Sequence, residues 1–235
     1  MTDCALVTGA SSGIGKAIAA KLLAAGWEVY GVGRTFPEDP VFQQDRFHAV
    51  QLDLLDDSAR SAFLNTLPKA SLKLLINNAG AAWYGPHETI SAAHLECMCR
   101  TNLELPMKLC SALLRPLRDN KGTILNIASV TALSASPHGA AYGALKAGLL
   151  QFSRTLFEEN RKAGLRVMTI LPDMTDTGLY RNADFTASRE PGCSLSPEQV
   201  ADAVLYMLNQ PEGSLITELT LRPQYHRIVR KKNAV

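Results

Sequence analysis

The sequence carries almost no net charge: 24 Lys and Arg against 22 Asp and Glu leave +2. That balance gives no reason to invoke nucleic acid or an acidic membrane surface as a partner. An even, regularly spaced cysteine set is also missing. Cys4, Cys97, Cys99, Cys110 and Cys193 are odd in number and scattered, which does not suggest a disulfide framework. Cys97 and Cys99 stand too close for C-x2-C metal spacing and have no second pair, so no metal site is expected and both are expected to pack in a helix. No apolar run of roughly eighteen residues occurs, so no transmembrane helix is expected. The chain enters a strand almost at once, which leaves no room for a signal peptide. A reducing, cytoplasmic setting is expected. Internal repeats and low-complexity linkers are absent. The 235 residues, 46% of them hydrophobic, suffice for a sizeable core, and one domain over 1–235 is expected.

What is present begins at the N-terminus. Ala5-Leu6-Val7-Thr8 is a short apolar run, broken by three glycines in Gly9-Ala10-Ser11-Ser12-Gly13-Ile14-Gly15. A small-and-apolar pattern then runs from Lys16 to Leu23. The order reads as strand, glycine turn, helix. Glycines let backbone N–H groups approach a phosphate with no Cβ in the way. The partly positive start of the helix points at the same place. Gly9, Ser11, Ser12, Gly13, Ile14 and Gly15 are therefore candidate ligands of a dinucleotide pyrophosphate. Their G-x-x-x-G-x-G spacing is not the usual G-x-G-x-x-G, and a strand-to-helix turn that merely needs glycine stays open at this point.

The alternation continues. Gly26 is expected to end the first helix. Strands are predicted at 27–32, 48–52, 72–76, 123–128, 166–171 and 215–221. Helices are predicted from Asp56 to about Leu67, from Ser91 through Met98, and from Leu103 to about Leu117 with a kink or new first turn at Pro106. Two more are predicted from Ala140 to about Ala163 and from the capping box Ser196-Pro197-Glu198-Gln199 to about Leu208. Residues 36–46 and 173–195 have no clean period and read as loops, the second long enough to be a substrate loop. Arg227, Arg230, Lys231 and Lys232 read as a solvated basic tail over 224–235. Strands alternating with helices imply an α/β fold, a doubly wound parallel sheet of about seven strands with helices on both faces. Ligands of such sheets lie beyond the carboxyl ends of the strands. Gly9 to Gly15, Arg34, Asp53, Asn78, Ser129 and Pro172 all follow a predicted strand, so they share one rim.

Tyr142 and Lys146 lie near the start of the long helix at i, i+4 and share one helix face. An ammonium beside a phenol favours the phenolate, and the tyrosine pKa is expected to fall toward the operating range. Such a phenol can give a proton to a carbonyl oxygen or take one from an alcohol. The alternative is a half-buried tyrosine with a snorkelling lysine. Ser129, on the same rim, could hydrogen-bond the reacting oxygen, or be an ordinary turn residue. Asn102 is a poor helix former in a helical stretch, which invites a functional reason or merely marks the local break ahead of Pro106.

Together these residues resemble a classical short-chain dehydrogenase/reductase with a Rossmann fold. The resemblance runs from Thr8 to about Pro223 and rests on Thr8 to Gly15, Asp53, Asn77-Asn78-Ala79-Gly80, Asn102, Ser129, Tyr142 and Lys146, in the family's order and spacing. It implies Tyr142 as general acid in reduction and base in oxidation. Lys146 would lower its pKa and hold the nicotinamide ribose, Ser129 would orient the substrate oxygen, and Asn102 would hold a water that links Lys146 to solvent. Asp53 would meet the adenine, and Asn78, Ala79 and Gly80 would line the adenosine side. A homodimer or homotetramer is implied, through the helices around 92–118 and 140–163, where Ala112, Leu113, Ala144 and Leu149 suit either an interface or core packing.

Gly33 stands where NAD-preferring members carry Asp, and Arg34 follows. A guanidinium can take a 2′-phosphate with two hydrogen bonds, so NADP(H) is expected over NAD(H). After the sixth strand the family usually has Pro-Gly. Here Pro172 is followed by Asp173, while Thr177 keeps the place expected for the nicotinamide carboxamide. The ending Ile216 to Pro223 resembles the branch of NADP-dependent serine and 3-hydroxy acid dehydrogenases. Trp83, Tyr84, His138, Met174 and Tyr180 are candidates for a substrate pocket or for packing. The substrate expected is a small carbonyl or alcohol of unspecified identity. Two other classes are weighed: an NADP-binding redox sensor or scaffold without turnover, and an extended-branch sugar-nucleotide enzyme. The latter favours G-x-x-G-x-x-G spacing and a larger C-terminal domain, and the chain has neither.

Overall fold

Along the first strand Ala5 and Val7 turn to one core and Cys4 and Leu6 to another, and all four are fully buried. Continuous burial of this kind belongs to a parallel strand covered on both faces. The computed structural model describes residues 2–231. Nine strands are formed: β1 (Cys4–Thr8), β2 (Glu28–Gly33), β3 (Phe47–Gln51), β4 (Leu72–Asn77), β5 (Thr123–Ile127), β6 (Arg166–Pro172), β7 (Phe185–Ala187), β8 (Glu218–Leu221) and β9 (Ile228–Arg230). Seven make one parallel sheet in the order β3-β2-β1-β4-β5-β6-β8. The helices are α1 (Gly13–Ala24), α2 (Asp57–Thr66), α3 (Ala92–Cys99), α4 (Leu105–Asp119), α5 (Ala140–Asn160) and α6 (Pro197–Leu208). Side chains of α1 and α6 cover one face; those of α2, α4 and α5 cover the other. The chain leaves β1 toward β2 and β3, then returns to lay β4 on β1's free side. That reversal leaves a crevice above the carboxyl ends of β1 and β4.

Local chemistry sets the helix ends. After α1, Gly26 takes φ +92, its N–H donates to Leu23 O, and Trp27 N donates to Leu22 O. This pair of bonds is a Schellman motif. Ser196 and Gln199 form both halves of the capping box of α6. Ser91 Oγ accepts from His94 N at the start of α3. The break expected at Pro106 is a π turn over Arg100–Glu104, in which Leu105 N donates to Arg100 O, five residues back. Pro106 has no N–H to return to that turn, and Asn102 sits inside it.

Several expectations change. The first helix starts at Gly13, so the glycine loop supplies its first turn. Residues 36–46 contain a 3-10 turn, Pro40–Gln43. It forms because the Asp39 carboxylate accepts from Val41 N and pairs with Lys16 at 2.7 Å. Residues 173–195 contain the 3-10 turn Gly178–Asn182 and β7. The last sheet strand starts at Glu218 rather than 215. The basic tail stays exposed but is not free chain: β9 pairs antiparallel with β7, Phe185 opposite Arg230 and Ala187 opposite Ile228. Arg227 pairs with Glu190 and Arg230 with Asp184, so the basic run pairs with acids of the 173–195 loop. Lys232 lies outside the described residues. Of the four residues suited to an interface, Leu113 and Leu149 are in the protein's own core, and Ala112 and Ala144 are exposed. Among the described residues no helix is long and apolar enough to cross a membrane, and no group of three His, Cys, Asp or Glu could hold a metal.

All five cysteines are free thiols. Burial pushes the Cys4 and Cys110 thiols up to about 12, and Cys193 is also buried. Only the thiolate reacts. A thiol reagent is therefore expected to label exposed Cys99 quickly and half-buried Cys97 slowly, and the other three only in denaturant. Fast labelling of three or more thiols in the native protein would contradict this packing.

Candidate active site

The floor of the crevice is a hydrogen-bond clamp. Thr8, the last residue of β1, donates its hydroxyl to Ile76 O at 3.2 Å and accepts from Asn78 N at 2.9 Å and Ala79 N at 3.0 Å. The Asn78 amide reaches back to Thr8 O at 2.8 Å and Gly9 O at 3.1 Å. Asn78 therefore holds the glycine loop from below. A Cβ on Gly15 would fall 2.3 Å from Gly9 O and 2.4 Å from Asn78 Nδ2, so only glycine fits there. Gly9 (φ +65) and Gly13 (φ +53) lie in the left-handed region that favours glycine.

No side chain caps the N-terminus of α1. Its first N–H groups have no partner within the helix and face the crevice. This is the arrangement that receives a phosphate, and the glycines leave it room. The same cavity, about 690 Å³, extends along Arg34 and Asp53 at one end and Ser129, Tyr142 and Lys146 at the other. Arg34 is exposed and makes no ion pair or hydrogen bond among the described residues. A Cβ on Gly33 would lie 2.9 Å from Ser11 Oγ and 3.2 Å from Phe36 Cζ, so an acidic residue at 33 has no room. The donors and the space fit a dinucleotide.

Tyr142 and Lys146 are buried on one face of α5, with the Lys146 ammonium 5.6 Å from the phenol ring centre. Lys146 Nζ donates one hydrogen bond, to Ile127 O at 2.8 Å, which leaves two N–H groups for the cavity. Burial draws its pKa down to about 8. The lowered tyrosine pKa expected from the pairing is overturned: burial pushes the Tyr142 phenol above its ordinary value, with a smaller push from Tyr180. Desolvation is the larger cause, and the phenol holds its proton at neutral pH. Ser129 ends β5's run, and its Oγ accepts from Thr131 N at 3.2 Å, which leaves its own proton free.

Of the sequence-predicted residues, Gly9, Ser11, Ser12, Gly13, Ile14, Arg34, Asp53, Asn78, Ala79, Gly80, Ser129, Tyr142, Lys146, Pro172 and Thr177 line this one cavity. Gly15 and Asn102 do not reach its wall. Gly15 works by close packing. Asn102 is fully buried behind the wall, its Nδ2 donating to Ala81 O and Met98 O while Oδ1 has no protein partner. Thr177 Cγ2 would touch a Cβ on Gly13 at 3.2 Å, so the 173–195 loop rests on the glycine loop. Trp83, Tyr84, Met174 and Tyr180 line the substrate end. His138 does not; its carbonyl accepts from Gly85 N instead. Residues not expected there are Phe185, His226 and Ile228, which the β7–β9 ribbon brings in. The adjacent β-branched residues Ile228 and Val229 were the available signal for a strand.

A family model described as short chain dehydrogenase matches residues 3–187. A serine 3-dehydrogenase of Agrobacterium fabrum is 30% identical over 241 residues, covering 95% of this chain and 94% of that one. A sulfoacetaldehyde reductase 2 of Chromohalobacter salexigens is 30% identical over 245 residues, covering 95% of each. The closed form of a serine dehydrogenase complexed with NADP+ superposes with a TM-score of 0.80 at 27% identity, covering 93% of this chain and 94% of that one. The chain belongs to the short-chain dehydrogenase family of oxidoreductases.

Proposed function

We propose that the protein is an NADP(H)-dependent oxidoreductase that moves a hydride between the nicotinamide and a carbonyl or secondary alcohol, with Tyr142 as general acid and base. The observation that carries this reading is the continuity of the cavity, which joins the uncapped start of α1 to the buried Tyr142–Lys146 pair. When bound, the dinucleotide supplies the hydride. In reduction the carbonyl carbon takes it and the oxygen takes the Tyr142 proton. In oxidation the phenolate takes that proton back. Ser129, whose Oγ proton is free, holds the substrate oxygen. The Lys146 ammonium stabilises the phenolate as it forms, and its two remaining N–H groups suit ribose hydroxyls. The unpartnered Asn102 Oδ1 suits a water between Lys146 and solvent.

Asp53 would meet the adenine, Asn78 to Gly80 would line the adenosine side, and Pro172 and Thr177 would border the nicotinamide; all of them line the cavity. The relatives' names, one for serine and one for sulfoacetaldehyde, support a small-molecule substrate. Family membership supports a homodimer or homotetramer, and five free thiols support a cytoplasmic setting.

Three measurements test this. Tyr142→Phe removes the proton donor, so NADPH oxidation against a carbonyl panel is expected to fall about 100-fold or more while NADPH still binds. Retained turnover would remove Tyr142 from its role. Arg34 alone carries the preference for the 2′-phosphate, since Gly33 brings no acid to repel it. Arg34→Ala is therefore expected to weaken NADPH about 10- to 100-fold and NADH by far less, read by fluorescence titration. Equal losses would sink the NADP assignment. Lys146 is cationic below its pKa of about 8 and neutral above it. The kcat/KM for the carbonyl at saturating NADPH, which reports the enzyme before the carbonyl binds, is expected to be level below that pH and to decline above it. A profile flat beyond pH 9.5 (about 1.5 units past that value) would show that Lys146 does not titrate in the reaction.

A further inference from the structure

The C-terminal segment is fastened to the substrate loop by bonds of several kinds. Tyr225 N donates to Gly192 O and Arg227 N to Cys193 O, and Ser188 N donates to Arg227 O. Lys231 Nζ donates to Tyr180 O at 2.8 Å and Arg181 O at 3.1 Å. Such a seam leaves little freedom at the residues between its bonds. One of them is His226, which takes φ +45, a left-handed conformation that a residue with a Cβ seldom adopts. Backbone strain of this kind persists where the surroundings impose it.

The imposing partner is Asp173. Its backbone N–H donates to Leu221 O, and its Oδ1 accepts from Met174 N at 2.8 Å. These bonds fix the carboxylate at the end of β6, with its side chain only 10% exposed. His226 Nδ1 lies 2.9 Å from the same oxygen. The residue that departs from the family's Pro-Gly therefore anchors the imidazole. His226 lines the cavity that holds Tyr142, beside Met174, Tyr180, Phe185 and Ile228. The imidazole adds a hydrogen-bonding group to that largely apolar stretch of wall, and unlike the exposed Arg181 close by, it is held in place by a buried carboxylate. A hydrogen-bonding group placed in an apolar wall orients a ligand.

We propose that His226, held by Asp173, is a specificity-determining residue that receives a hydroxyl group of the substrate, so that the preferred substrates are hydroxylated carbonyl compounds. The carboxylate facing Nδ1 draws the ring proton to that nitrogen. Nε2 is left as an acceptor when the ring is neutral and a donor when it is cationic. A hydroxyl both donates and accepts, so it serves either state. A carboxylate or an ammonium would serve only one. This rests on Tyr142 reducing a carbonyl in the same cavity.

The test uses the full-length enzyme and matched carbonyl pairs that differ by one hydroxyl, such as glyceraldehyde with propanal and glycolaldehyde with acetaldehyde. KM and kcat are measured for the wild type, His226→Ala and His226→Gln, with NADPH affinity measured alongside. The wild type is expected to favour the hydroxylated member about 10-fold or more in kcat/KM. His226→Ala is expected to lose that preference, mainly through KM, with NADPH affinity kept. His226→Gln, whose amide reaches the Nε2 position, is expected to restore part of it. A wild type that turns over both members alike, or a His226→Ala variant that loses both alike, would overturn the proposal and leave the reductase reading standing. A wild type that binds NADPH and reduces no carbonyl would overturn both.

Discussion

The hydroxyl of Thr8 is where the structure is pinned. It makes three hydrogen bonds, the most a hydroxyl with one proton and two lone pairs can make. They tie the end of β1 to the end of β4, the two strands between which the chain reverses. The Asn78 amide then holds the carbonyls of Thr8 and Gly9 from the β4 side. Without this clamp the Asn78 and Ala79 N–H groups would be left without their partner, each at about 1–3 kcal/mol. The loop above would lose the carbonyl positions that shape it. The glycine spacing follows from the same clamp. Gly15 must pass against Gly9 O and Asn78 Nδ2, so a glycine is needed two residues after Gly13. The spacing is set by a side chain on another strand.

Burial does the tuning at the other end of the cavity, and it opposes the ion-pair argument. A phenol and an ammonium in one apolar pocket each lose hydration, and each is pushed toward its neutral form. The phenol keeps its proton more tightly and the lysine gives its proton up more readily, near pH 8. The phenol is therefore a proton carrier at neutral pH and its neighbour a cation only below about pH 8. Tyr84 and Tyr180 extend this dry environment. Burial raises both of their phenols as well. Their rings, with Tyr142 and Phe185, stand with centroids 5.3 to 5.9 Å apart.

Most of the sheet and the rim were legible because they are written locally. A strand such as β1 is a continuous apolar run, a helix start such as α6 carries its own capping box, and each polar group of the rim directly follows a strand. Gly33 and Arg34 were legible for the same reason: the end of β2 fixes where they stand. Two kinds of feature were not. The π turn at Asn102 looked like a weak spot before Pro106, since nothing in the neighbouring residues reveals that Nδ2 will find Ala81 O across the fold. The Tyr142 proton affinity read in the wrong direction because spacing along α5 reports the nearby charge but not the depth of burial.

The C-terminal segment is the larger case. Read along the chain, Arg227, Arg230 and Lys231 are an uncompensated run, and such runs are ordinarily solvated. Their partners, Glu190, Asp184 and the carbonyls of Tyr180 and Arg181, lie some forty or fifty residues earlier. Charge balance within the segment therefore carries no information about its fate. Each exposed pair adds little by itself, commonly no more than about 1 kcal/mol. The ribboned backbone supplies what the pairs do not, and β7 without β9 would be a strand of three residues with no partner. Because β7 carries Phe185 and follows the turn that carries Tyr180, the shape of the substrate end depends on the last described residues of the chain. The 173–195 loop is thus one half of a two-part wall. Asp173, on that half, and His226, on the other, meet at 2.9 Å across the seam between them.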